Sequence, residues 1–264
     1  MAVKIEREWT VEEALEIAAS PRQQNGMRNS SRSNDSTWSG STFDEAVKMG
    51  RHGYASGTAR LKRRLQTMQP NLRQSMRPKP VWGVSGSDVD MGRYLAGEPD
   101  NMVESVRQRR QSLVLRIGVE RTVSSYVSAS DIEAVGASVL AVVERLRTSG
   151  IPSEVWVTFT HENKRGDAWQ ARVKVQDAGR PIDMDRLAFW CMHPAALRRI
   201  GFALAEKESP DTRRVYGFGP GNYSYPTTIS EPEWRALGFD EFAPSMAEEV
   251  EEWVSDVLNR RTTR

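Results

Sequence analysis

One cysteine in 264 residues excludes an intramolecular disulfide. Cys191 lies in the apolar run Leu187–Met192, where it reads as a small buried hydrophobe. A chain without disulfides points to a reducing, cytoplasmic compartment. Histidine is scarce too: His52, His161 and His193 are the only three, and none lies within metal-ligand spacing of another. With no cysteine pair beside them, no zinc signature is present. No apolar stretch approaches the ~20 residues that span a bilayer, and the run Met1–Glu8 has no apolar signal region behind its charges. There is no Gly-x-Ser-x-Gly nucleophile elbow; Gly83-Val84-Ser85-Gly86 has the wrong spacing. Gly217-Phe218-Gly219-Pro220-Gly221 lacks the lysine of a phosphate loop and the helix that follows a dinucleotide fingerprint, so it reads as a surface turn. The expectation is a protein with no complete catalytic motif, no cofactor and no bound metal.

Acidic residues are missing from one long stretch. Between Ala46 and Ser87 there is none, while Lys48, Arg51, Arg60, Lys62, Arg63, Arg64, Arg73, Arg77 and Lys79 all fall there. From Glu231 to Asp256 the balance reverses, with Arg235 the only basic residue. The net charge of +2 hides this asymmetry. The arginine excess suits bidentate phosphate contacts.

What is present is periodic. Thr10 with Glu13 opens a short helix as a capping box, and Pro21 ends it. Arg22 to Ser36 is polar and reads as a mobile arm. Thr42 with Glu45 caps a second helix, interrupted by Gly50, Gly53 and Gly57. Leu61, Leu65 and Met68 then mark a basic amphipathic helix that stops near Pro70. Val81–Val84 suggests a short strand, and Val89–Ala96 a helical turn or two. The pattern changes at Ser112. Alternating Leu113, Leu115, Ile117 and Val119 predict a strand. Ser130 with Glu133 predicts a cap for a long helix closed by Gly150. Val155–Phe159 and Trp169–Val175 predict two more strands joined by a polar hairpin loop, and Val215–Phe218 a fourth. Helices are expected over Asp183–Met192, Pro194–Glu206 and Pro232–Leu237, and after a cap made by Ser245 and Glu248. Strand, helix, strand is a βαβ unit, and the hairpin adds an antiparallel edge.

The chain therefore reads as α/β: a small mixed, mostly parallel sheet flanked by helices, preceded by a mainly helical basic segment. Its expected divisions are a helix and polar arm over 1–40, a basic helical and loop segment over 41–110, and an α/β domain over 111–264 with an acidic last helix.

Two aspartate pairs, Asp88/Asp90 and Asp183/Asp185, have the chemistry for Mg²⁺ or for acid–base work. Both also stand where a helix begins, which favours capping. Arg51, Arg60, Lys62, Arg63, Arg64, Arg73, Arg77 and Lys79 are candidates to neutralise phosphates. Trp38 and Tyr54 are candidates to stack on unpaired bases, with His52 and Trp82 nearby. The same residues equally describe a solvated helix face or a protein-docking surface.

Two resemblances follow from these residues. The strand–helix–strand–antiparallel strand succession over Ser112–Tyr225 resembles the von Willebrand factor A domain, a family that holds a divalent metal with Asp-x-Ser-x-Ser after its first strand. Glu120-Arg121-Thr122-Val123-Ser124 stands there, with Glu for Asp and Thr for Ser, and Tyr216-Gly217-Phe218-Gly219 replaces the family's later aspartate. The resemblance implies the fold and a degenerate metal site at Glu120, Thr122 and Ser124. Trp38–Ala46, Asp90–Pro99 and His193–Arg199 look like an uncharacterised family of phage and prophage proteins. That likeness implies a viral or mobile-element origin, with the protein in the host cytoplasm or the virion, and no activity. The functional expectation is a non-enzymatic phage protein that binds nucleic acid through its basic segment during replication or packaging. The alternative is a von Willebrand A-like protein-interaction module, a virion component or an adaptor to host or phage machinery.

Overall fold

The computed structural model describes residues 4–21, 30–34, 36–68, 81–104, 114–148, 150–163, 166–208, 225–226 and 229–262. Most of the polar arm, the strand expected at Val215–Phe218 and the turn Gly217–Gly221 lie outside them. By its internal contacts the chain divides into two compact units, Met1–Thr67 with Val114–Arg264, and Met68–Leu113.

The larger unit opens with strand β1 (Lys4–Thr10) and helix α1 (Val11–Ala19). The Thr10–Glu13 capping box forms as the spacing requires, with the Glu13 carboxylate accepting the Thr10 amide at 2.8 Å. A 3-10 turn at Ser30–Arg32 and helix α2 (Ser36–Ser39) precede α3 (Phe43–His52) and α4 (Ala55–Met68). The Thr42–Glu45 box caps α3. Gly53, at φ 92°, breaks the chain between α3 and α4 in a conformation that favours glycine.

Strand β5 (Leu115–Glu120), helix α6 (Ala129–Thr148) and strand β6 (Ser153–Glu162) form the expected parallel βαβ unit, and β7 (Ala168–Gln176) returns antiparallel to β6. After α7 (Met184–Met192), a π-helical turn (Ala196–Gly201) and α8 (Phe202–Glu206) come β8 (Tyr225–Pro226), α9 (Glu231–Ala236), β9 (Glu241–Ala243) and α10 (Ala247–Thr262). The sheet runs β1-β7-β6-β5-β9, with β8 pairing the end of β6. β5 is parallel to both β6 and β9, and β1 is parallel to β7. This is an α/β fold with a mixed, mostly parallel sheet. Among the described residues, no helix is long and apolar enough to cross a membrane.

Four readings of the sequence change. The cap of α6 is Ser128 rather than Ser130: its hydroxyl accepts the Asp131 amide at 3.2 Å and donates to the Asp131 carboxylate at 2.7 Å. The end of the polar arm is anchored. Ser31 is 1% exposed, with its amide and hydroxyl bonded to the Glu206 carboxylate at 3.0 and 2.6 Å. The helix expected from Pro194 opens as a π-helix, the wider turn that tolerates two adjacent inward arginines, Arg198 and Arg199. Strands β1 and β9 were not expected at all. β1 has no fully buried residue and a charged, edge-strand sequence, and β9 is only three residues long.

Side-chain alternation divides the sheet. Leu115, Ile117, Val119, Val155, Val157, Phe159, Ala171 and Val173 build one apolar face, and all are buried. Glu120, Thr158, Thr160, Gln170 and Arg172 point to the other.

The smaller unit is described over 81–104. It is a three-stranded antiparallel sheet, β2 (Val81–Gly83), β4 (Met102–Glu104) and β3 (Asp88–Val89) in that order, with the short helix α5 (Met91–Leu95).

Candidate functional site

The carboxyl end of β5 carries Glu120, which is 0% exposed. Its Oε1 accepts the backbone amides of Arg121 and Thr122 at 3.0 and 2.8 Å. Its Oε2 accepts the hydroxyls of Thr158 and Thr160 at 3.1 and 3.0 Å. Thr122 Oγ1 accepts the Thr160 amide at 2.6 Å, and Ser124 Oγ accepts the Tyr126 amide at 3.5 Å. The acid–hydroxyl–hydroxyl pattern at Glu120, Thr122 and Ser124 is thus wired to its own loop and to β6. Among the described residues, no group of three or more His, Cys, Asp or Glu side chains is arranged to hold a metal. Burial lifts the Glu120 carboxyl to about 7 against the four hydrogen bonds that favour its charge. The network runs on across the sheet. Gln170 donates to Thr160 at 3.4 Å, Arg172 donates to Gln170 at 3.2 Å, and Arg172 pairs with Glu6 at 3.2 Å. A cleft of about 340 Å³ lies over this ladder, between Thr160, Gln170 and Glu6 on the sheet and Ile229 and Leu237 opposite.

One aspartate of each pair caps a helix, while Asp88 lies in β3 and Asp185 in the first turn of α7. Asp90 Oδ1 accepts the amides of Gly92 and Arg93, and Asp183 Oδ1 accepts that of Arg186 at 3.0 Å. His193 is buried, with Nδ1 accepting the Ala195 amide at 3.1 Å. Its desolvation, with Arg60 and Arg121 nearby, presses its pKa down to about 4. Burial pushes the Cys191 thiol up to about 12. Both shifts hold the buried thiol and imidazole in their neutral forms at neutral pH.

The basic candidates separate into three groups. Arg51, Lys62 and Arg63 are exposed on α3 and α4. Arg60 is engaged: it bonds Glu133 at 2.9 Å, reaches the Tyr54 hydroxyl, and its guanidinium lies over the Tyr54 ring. Arg64 lies in α4, and Arg73, Arg77 and Lys79 lie outside the described residues. The two aromatic candidates are occupied within the fold. Trp38 donates to the Ser125 carbonyl at 3.2 Å and stacks with Phe202 and Arg198. Tyr54 meets His193 edge-on at 4.6 Å and donates to Glu133 at 3.2 Å. The structure therefore brings Arg60, Tyr54 and Glu133 together in a partly exposed cluster, and leaves Arg51, Lys62 and Arg63 facing solvent.

The smaller unit is where sequence reasoning saw least. None of residues 82–103 is buried. Val84 and Leu95 are 77% and 78% exposed, and Met91, Tyr94 and Trp82 are exposed as well. Met91, Tyr94 and Leu95 share one face of α5 by their i, i+3, i+4 spacing. The Trp82 ring is fixed by Arg93 over its face, 4.9 Å from the centroid, and by its bond to Asp90 at 3.1 Å. Among the described residues 81–104 the charged residues are Asp88, Asp90, Glu98, Asp100 and Glu104 with one base, Arg93, while the flanking sequence adds Arg73, Arg77, Lys79, Arg107, Arg109 and Arg110. A sequence signal existed: large apolar residues in a segment rich in glycine and aspartate, too short to build its own core.

A family model described as a domain of unknown function (DUF7192) matches residues 9–261 of the chain. No curated protein and no solved structure matches it.

Proposed function

The chain belongs to the DUF7192 family, a domain of unknown function that covers residues 9–261, and from its geometry we propose that it is a non-enzymatic adaptor that binds a protein partner through the unit containing residues 81–104. The observation that carries this reading is the exposure of Trp82, Val84, Met91, Tyr94 and Leu95 in a unit with no buried residue over 82–103. Exposed large apolar side chains concentrated in so short a segment mark interaction surfaces. A rigidly held tryptophan beside a tyrosine is the composition of a binding hot spot. The exposed apolar side chains favour a partner that offers apolar groups of its own. In this reading the likeness to phage and prophage proteins makes the partner a component of a virion or of replication or packaging machinery. The β5-α6-β6-β7 succession supports a von Willebrand A-like reading of the larger unit. A photo-crosslinking residue at Leu95 tests it in producing cells. One discrete protein adduct, lost when Met91→Ser and Tyr94→Ser are added, is the expected result. An unchanged adduct pattern, or none at all, overturns the reading.

A second reading rests on Arg51, Lys62 and Arg63, which leave an exposed, basic surface on α3 and α4. It is nucleic-acid binding through the acid-free segment. Binding to a duplex or single strand should fall steeply with salt, and Lys62→Ala with Arg63→Ala should reduce the slope of log K against log salt by about 2. No shift at low salt, or an unchanged slope, ends that reading.

A further inference from the structure

Among the described residues three arginines are buried, and two of them are fully accounted for. Arg199 donates from Nε to the Ser41 carbonyl at 3.0 Å and from Nη1 to the carbonyls of Ser31 and Ser33 at 3.0 and 2.8 Å. Arg198 donates to the carbonyls of Trp38 and Val127 at 2.6 and 2.7 Å and lies over the Trp38 ring. Arg121 is different. It is 1% exposed, its Nε is enclosed without an acceptor, and no described residue hydrogen-bonds or ion-pairs its guanidinium.

A guanidinium does not escape this cost by losing its proton. Burial lowers Arg121 only to about 10, so it stays charged at neutral pH. An isolated buried charge is strongly unfavourable. The groups within electrostatic reach are Cys191, Glu120, Arg198 and His193. Arg198 adds a second positive charge. The Cys191 thiol and His193 imidazole are neutral. Glu120 attracts the Arg121 charge through space, but both of its oxygens are committed to four other donors, so it offers the guanidinium no hydrogen bond. Val127, bonded to Arg198, directly precedes Ser128, the cap of the 20-residue helix α6, so a positive helix end adds to the two arginines. Arg121 itself is the first residue past β5, at the carboxyl end of the parallel strands, where open α/β sheets bind their ligands.

We propose that Arg121, supported by Arg198 and the start of α6, anchors a binding site for a small oxyanion group, a phosphate or a carboxylate. The planar fork of Arg121 supplies the bidentate contact that such a group takes. The two sources share one chemistry and differ in charge and shape. This site is independent of the exposed face of residues 81–104, and the protein-binding reading does not bear on it.

The test uses the full chain at constant ionic strength. Inorganic phosphate, acetate and chloride are titrated while the Arg121 Nε–H resonance is followed by ¹⁵N NMR and binding by calorimetry. The expected result is a saturable shift of that resonance with phosphate or acetate but not chloride. Preference for phosphate identifies a phosphoryl ligand, and preference for acetate a carboxylate. Arg121→Lys, which keeps the charge and loses the fork, should weaken binding about tenfold. A resonance that ignores both oxyanions, or moves equally with chloride, overturns the proposal. So does an Arg121→Lys chain that binds as the parent does. Because the resonance is read in the unsubstituted protein, the proposal stays testable even where a variant fails to fold.

Discussion

A β-carbon on Gly136 of α6 would lie 2.0 Å from the carbonyl oxygen of Cys191 in α7. The two helices meet backbone to backbone at that point, and the neighbour that would have to yield is main chain. Gly136→Ala should therefore destabilise the protein by about 3 kcal/mol through overpacking, despite the better helix propensity of alanine. Gly179 has nothing within 4 Å of its missing β-carbon. Gly179→Ala should stay within about 0.5 kcal/mol of the parent. Urea unfolding of the two variants side by side checks the contrast.

The same contact explains part of what was legible in advance. The apolar stripe Ile132, Val135, Val139, Val142, Val143, Leu146 marks α6 because a 3.6-residue period is written locally. The alternation in β5, β6 and β7 is equally local. Gly136 carries no such signal, because its reason is Cys191, 55 positions away. β1 escaped notice for a similar cause: its Lys4–Thr10 backbone is a strand only because Ala168–Lys174 offers a partner edge. The candidate site shows the limit most clearly. Glu120, Thr122 and Ser124 stand out by spacing, yet their hydrogen bonds go inward to Thr158 and Thr160. Arg121, between them, gives no sequence sign that it is buried without a partner.

Arg199 ties the chain before α3 to the π-helical turn through the carbonyls of Ser31, Ser33 and Ser41. Arg199→Ala leaves those carbonyls without their donor and should cost about 3 kcal/mol. The loss should be local first. Limited proteolysis is expected to cut within residues 30–42 at denaturant concentrations where the far-ultraviolet circular dichroism is still native. Cleavage that begins only with global unfolding would show that the anchor does not hold this segment.

Cys191 is fully buried, and its thiol is pushed from 9.0 up to about 12, which leaves about a thousandfold fewer thiolates than an unperturbed cysteine. A disulfide reagent should therefore label the native protein only as fast as it opens. The expected outcome is a labelling rate that tracks the unfolding rate across a urea series. Prompt labelling in native buffer would contradict the packing of α7.

Glu120 and His193 impose opposite pH dependences on stability. Glu120 rises from 4.5 to about 7 on folding, so the folded state holds its proton longer. Its contribution is fully present below pH 4.5 and is lost as pH rises through 7, a swing of about 3 kcal/mol. His193 falls from 6.5 to about 4, so the folded state refuses a proton that the unfolded chain accepts. Its contribution is present above pH 6.5 and is lost as pH falls through 4, by about 3 kcal/mol again. Between pH 4.5 and 6.5 the two slopes oppose each other, and in the parent protein they largely cancel. Each single substitution should unmask the other residue. Glu120→Gln, which keeps the hydrogen-bonding shape, is expected to give a protein whose urea midpoint climbs as pH rises from 4 to 6.5. His193→Asn, which keeps an acceptor for the Ala195 amide, is expected to give one whose midpoint declines from pH 4.5 to 7. The measurement is the urea midpoint at half-unit steps from pH 4 to 8 for the three proteins. Parallel profiles would mean that neither buried group titrates with folding, and that the Glu120 carboxyl stays ionised on the strength of its four donors.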